Sequence, residues 1–143
     1  MPLFKIILVY LFLFVFPFNS TSVVFADEAR EDCRVCGMWI DQYMHTRHVL
    51  SMADGTQIYF CSYTCTAKYL KTIQTKVEQL QVADYLTTAL VDVEAAFYLV
   101  GSDTLPVMSY TSIIAFANKK SAEIFQELHG GKIMTFAEVL ANY

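Results

Sequence analysis

The chain has 143 residues, 55% of them apolar, with ten Lys and Arg against fourteen Asp and Glu and a formal charge of −4. That length suits one compact body rather than several domains. High aromatic content with few Gly and Pro excludes a disordered chain, and an acidic balance without a basic run excludes electrostatic nucleic-acid binding.

The first 26 residues read as a secretion leader. Lys5 supplies the positive start, Ile6 to Phe18 is almost wholly aliphatic and aromatic, and Val24-Phe25-Ala26 places small residues before Asp27. An apolar run of about 13 residues is short of the roughly 20 that span a bilayer. Cleavage after Ala26 and export to the periplasm are therefore expected, leaving a single domain over 27–143. No cysteine stands at the cleavage point to take a lipid, which leaves a lipid tether to the membrane without support.

Beyond the leader, Val49 to Ala53 and Thr56 to Phe60 flank Asp54-Gly55, the pattern of a β-hairpin. Ser62 to Gln81 contains no Gly or Pro and repeats Tyr69, Ile73, Val77 and Leu80 at helical spacing, which predicts a helix capped by Ser62 or Thr64. Val82 to Leu90 and Ala95 to Val100 are rich in strand formers, and Gly101-Ser102-Asp103 closes the second run. A strand over Ile113 to Ala117, a helix over Ser121 to His129 stopped by Gly130-Gly131, a strand over Lys132 to Phe136 and a helical turn from Ala137 complete the chain.

Two stretches are alike. Ile58-Tyr59-Phe60 leads into a helix bearing Tyr69, and Ile114-Ala115-Phe116 leads into a helix bearing Phe125, an offset of 56 residues without a gap. The pattern suggests two related strand-strand-helix-strand units, about 33–90 and 91–143, packed into one α+β body.

The chemistry is concentrated between Cys33 and Cys65. All four cysteines lie there, as Cys33-x-x-Cys36-Gly37-Met38 and Cys61-x-x-x-Cys65, one pair on each side of the hairpin. Cys61 and Cys65 are one helical turn apart at a helix start, where the dipole favours thiolate. Met38, His45 and His48 are close in sequence, the histidines in a polar loop that reads as exposed. Thiolate with thioether and imidazole is the soft set that selects Cu(I), and thiolates also suit Zn(II). Four cysteines in a small exported domain equally fit two disulfides, with three possible connectivities. The chain carries no Ser/His/Asp arrangement, phosphate loop or tellingly spaced carboxylate pair, so no enzyme is expected.

The phrase Cys33-Arg34-Val35-Cys36-Gly37-Met38-Trp39-Ile40, then Asp54-Gly55 and Tyr59-Phe60, resembles the opening of NosL, the copper-binding accessory protein of nitrous oxide reductase. The likeness continues through Val82-Ala83-Asp84-Tyr85, Glu94 to Ser102, Pro106-Val107-Met108, Ile114-Ala115-Phe116 and Gly130-Gly131. Cys36-Gly37-Met38 with Tyr59 to Cys65 is also similar to the small YHS/TRASH-type metal-binding modules. The first resemblance implies two ββαβ units like those of organomercurial lyase, and Cu(I) binding with delivery to an exported copper enzyme, without catalysis. Partners would be that copper-receiving enzyme or copper-export machinery. The ligand pool expected is Cys33, Cys36, Cys61 and Cys65, with Met38 and Met108 as thioethers and His45 or His48 as imidazole. The rival expectation is a structural Zn(Cys)4 or disulfide-stabilised interaction module that delivers no metal.

Overall fold

The computed structural model describes residues 31–75 and 77–143, and the leader expected over residues 1–26 lies outside the described residues. Among the described residues, seven short strands form two antiparallel sheets, with three α-helices packed around them. The fold is α+β, as expected.

The hairpin forms where Asp54-Gly55 places it. Strand β1 spans His48–Met52 and β2 spans Gln57–Phe60, with Val49 opposite Tyr59 and Leu50 opposite Ile58. The Asp54 side chain accepts from Thr56 N at 2.9 Å, and Gly55 sits at φ +84°, a left-handed conformation that glycine adopts at no steric cost. Helix α1, Tyr63–Leu70, then follows Cys61 and the N-cap Ser62.

The helix expected over Ser62 to Gln81 is corrected here. It stops at Leu70, and Val77–Ala83 is strand β3, paired antiparallel with β1 so that Leu80 faces Leu50 and Val82 faces His48. Leu80 and Val82 are buried while Gln79 is exposed, the period-two alternation of a half-buried strand. Two apolar residues three apart satisfy a helical pattern as well as a strand, and the long-range partner β1 decides between them. The strand expected over Val82 to Leu90 is likewise broken. Its chain turns at Asp84 to Ala89, with Thr88 at φ +64°, before β4, Leu90–Asp92, pairs back onto β3. The first sheet has the order β2-β1-β3-β4.

The second sheet places β5, Phe97–Val100, between β6, Ile113–Phe116, and β7, Lys132–Met134. Helix α2, Lys119–His129, packs on it, and α3, Phe136–Asn142, ends the chain. Strand β7 stops at Met134 rather than running to Phe136, because Thr135 and Glu138 form a reciprocal capping box that starts α3. The sequence likeness between the two stretches is visible in packing. Phe60 and Tyr69 stack at 5.1 Å between centroids and 47° between planes, and Phe116 and Phe125 at 5.2 Å and 48°.

One buried core joins the sheets. Leu50, Phe60 and Val82 from the first, with Tyr63 on α1, pack with Tyr98, Val100, Ala115 and, on α3, Phe136 and Val139. The cysteines lie at the edge of this core, where β2 runs into α1.

Candidate metal centre

Cys33 and Cys36 occupy a tight turn whose ends are held together by the Asp32–Trp39 bridge. Inside it, Cys33 N donates to Met38 O and Gly37 N donates to Cys33 O, both at 2.8 Å. Gly37 takes φ +73°, with open space where a Cβ would project, so glycine is required there by backbone conformation and not by crowding. Arg34 N donates to Tyr59 O at 3.0 Å and fastens the turn to β2, one residue before Phe60 and two before Cys61.

Cys61 follows the last residue of β2, and its carbonyl accepts from Thr46 Oγ1 at 2.7 Å. Cys65 lies in the first turn of α1. The result is that all four Sγ atoms lie within 4.8 Å of one another. Cys61 Sγ stands 3.6 Å from Cys36 Sγ and 3.7 Å from Cys65 Sγ. These are non-bonded separations, far beyond the roughly 2.05 Å of a disulfide, and all four thiols are free.

Burial divides them. Cys33, Cys61 and Cys65 are at most 1% exposed, whereas Cys36 is half-buried. Electrostatics also divides them. Cys65 is held down to about 6 by the hydrogen bond from the Cys61 thiol against the opposing effect of burial, with help from Cys33, Cys36 and Ser62. Cys61, the donor to that anion, is pushed up by the same hydrogen bond and by burial. Burial also raises Cys36, partly offset by the Met38 backbone amide. The cluster thus takes its first negative charge readily and resists further ones, which only a bound cation would offset.

Sequence reasoning placed four further residues beside the cysteines, and the structure treats each differently. Met38 packs half-buried against the core cluster that contains the cysteines, and its Sδ accepts from Tyr43 Oη at 3.1 Å. His45 is exposed, and its Nδ1 donates to Tyr85 O at 2.7 Å. His48, expected in an exposed loop, instead opens β1 at 2% exposure. Its Nδ1 donates to Thr46 O at 3.2 Å and its Nε2 accepts from Tyr98 Oη at 3.4 Å, so both nitrogens are engaged in the core. Met108 is 42% exposed in the loop from β5 to β6.

Sequence reasoning missed Thr46, Ser62 and Tyr43, which orient the donors. A hydroxyl carries no signature of its own in sequence: Ser62 and Tyr43 act on near neighbours, while the contact of Thr46 with Cys61 exists only once β1 returns alongside β2.

The NosL family model matches residues 24–143. Among solved structures, the chain is similar to the crystal structure of the copper chaperone NosL from Shewanella denitrificans, with 26% identity and a TM-score of 0.65, covering 76% of this chain and 88% of that one. No curated relative matches the chain.

Proposed function

The chain belongs to the NosL family, and on that premise we propose that it is an exported metallochaperone that binds Cu(I) and passes it to a copper enzyme outside the cytoplasm, such as nitrous oxide reductase. The observation that carries the reading is the four-thiol cluster. Sulfur donors are soft and select a soft monovalent ion over hard cations, and Met38 adds a thioether beside them. Cu(I) needs only two or three of these sulfurs, so a bound ion keeps an exchangeable position. Transfer is then a swap of ligands between two proteins, with no change of oxidation state and no catalytic acid or base. The similar protein from Shewanella denitrificans is a copper chaperone, and the same role for this chain agrees with its donor chemistry. Export follows from the leader, and N-terminal sequencing of the secreted protein should begin at Asp27.

A second reading has its own support. Three of the four sulfurs are buried, and the separations of 3.6 and 3.7 Å match the edge of about 3.8 Å in a tetrahedron with Zn–S near 2.3 Å. That geometry suits a closed structural zinc site. Titration of the reduced protein separates the two. One Cu(I) per chain, removable by a Cu(I) chelator without unfolding, supports delivery. Tightly held zinc whose removal unfolds the protein supports a scaffold.

A further inference from the structure

The four sulfurs are one cluster but not four equivalent ligands. Cys61 and Cys65 are fully buried, one with its carbonyl tied to Thr46 and one inside the first turn of α1. Cys33 is 1% exposed, with its amide bonded to Met38 O and its carbonyl to Gly37 N. Cys36 alone is half-buried. It sits on the turn itself, one residue before a glycine with open space around it, and the cluster's sulfur neighbours lie behind it.

Resting on the copper-delivery reading above, we propose that Cys36 is the exchange ligand, the sulfur through which Cu(I) enters and leaves, while the three buried sulfurs retain it. Of the four sulfur-bearing residues, Cys36 is the one with side-chain surface for an incoming donor thiol to meet. The step is balanced as a ligand swap. The bond between copper and Cys36 Sγ breaks while one to the partner's sulfur forms, and the metal stays Cu(I). The proton lost by the partner's thiol is matched by the proton Cys36 takes up on leaving. Cys36 Sγ can leave by rotation of its own side chain, with the turn still fastened to β2 through Arg34 N and Tyr59 O.

The test compares Cys36→Ser with Cys65→Ser in the full mature chain, each first checked for a native far-UV spectrum and melting curve. Two quantities are read: Cu(I) affinity by competition with a chromophoric chelator, and the rate at which excess chelator strips the loaded protein. The expected pattern in Cys36→Ser is stripping at least about tenfold faster, because the position an incoming donor must enter is already open, with affinity lowered by less than that factor. Cys65→Ser should lose the larger share of affinity, because it removes a sulfur that retains the ion. Equal losses of affinity in both variants, or an unchanged stripping rate in Cys36→Ser, overturn the assignment while leaving copper binding intact. A parent protein that binds no Cu(I) overturns the delivery reading itself and this inference with it. A copper-independent arm uses brief alkylation of the reduced metal-free protein. A single adduct on Cys36 is expected, and a first adduct on any other cysteine overturns the ordering.

Discussion

Asp84 Oδ2 accepts a hydrogen bond from Ala117 N at 2.7 Å, tying the end of β3 in the first sheet to the end of β6 in the second. The adjacent Tyr85 N donates to Ala115 O at 2.7 Å and makes the same crossing. The other carboxylate oxygen, Oδ1, accepts from Leu86 N, Thr87 N and Thr87 Oγ1, which closes the turn toward β4. One buried side chain therefore holds the β3–β4 turn and joins the two halves of the fold.

Asp84→Ala should cost about 3 kcal/mol of stability, because it leaves several buried backbone amides without an acceptor. Asp84→Asn should cost less, since one oxygen remains to accept. Burial pushes the Asp84 carboxyl up, but the hydrogen bonds from Ala117, Thr87 and Leu86 outweigh it and leave the group below its ordinary 3.8. A value depressed in the folded state contributes stability that is complete above the unfolded value and lost as pH falls through the folded one. Chemical denaturation of parent and Asp84→Asn across acid pH checks this, and an unchanged midpoint in the variant would refute the clasp.

His48 gives a pH dependence in a higher window. Burial lowers it from 6.5 to about 4, against the opposing hydrogen bond to the Thr46 carbonyl, so the folded protein keeps it neutral. Below about pH 6.5 the unfolded chain takes up a proton that the folded chain does not, and stability falls as pH drops from there toward 4. The full loss is of order 3 kcal/mol. His48→Gln should flatten that slope between pH 6.5 and 4 even if it lowers stability at pH 7. Urea midpoints measured at half-unit pH intervals give the comparison, and parallel slopes in both proteins would contradict it.

Two glycines should respond differently to alanine. At Gly37 a Cβ meets open space, so the cost is that of the left-handed backbone alone, about 1 kcal/mol. At Gly131 a Cβ would lie 2.9 Å from both Ser102 N and Val100 O, backbone atoms that cannot step aside. Gly131→Ala should therefore cost well over 2 kcal/mol. Gly37→Ala should show its larger effect on metal affinity, because that turn carries Cys33 and Cys36. Melting curves and metal titrations on both variants test the order.

Met108 combines 42% exposure with φ +57°, a backbone region that a long unbranched side chain seldom occupies. An exposed thioether is available as a soft donor. Met108→Leu should leave apo stability within about 1.5 kcal/mol and weaken Cu(I) binding about tenfold, or 1.4 kcal/mol. Unchanged copper affinity would confine the site to the four cysteines.

The sequence by itself determined the features that depend on neighbours along the chain. Asp54-Gly55 specifies the hairpin, Gly130-Gly131 ends α2, and the shared Ile-x-Phe and aromatic spacing foreshadows the matched ring pairs Phe60–Tyr69 and Phe116–Phe125. The thiol pool was legible too, because all four cysteines fall in one short segment. Tertiary structure alone decided what depends on partners far along the chain. Val77 to Leu80 reads as helix locally and becomes strand because β1 pairs with it across a bulge at Ser51 and Met52. His48 reads as exposed among polar neighbours and is buried because β1 runs between β2 and β3, which brings Tyr98 and Tyr63 over its ring. The ranking of the four sulfurs by exposure has the same origin. Local spacing brings each pair of thiols together, but only the docking of the Cys33 turn onto β2 buries three of them and leaves Cys36 at the rim.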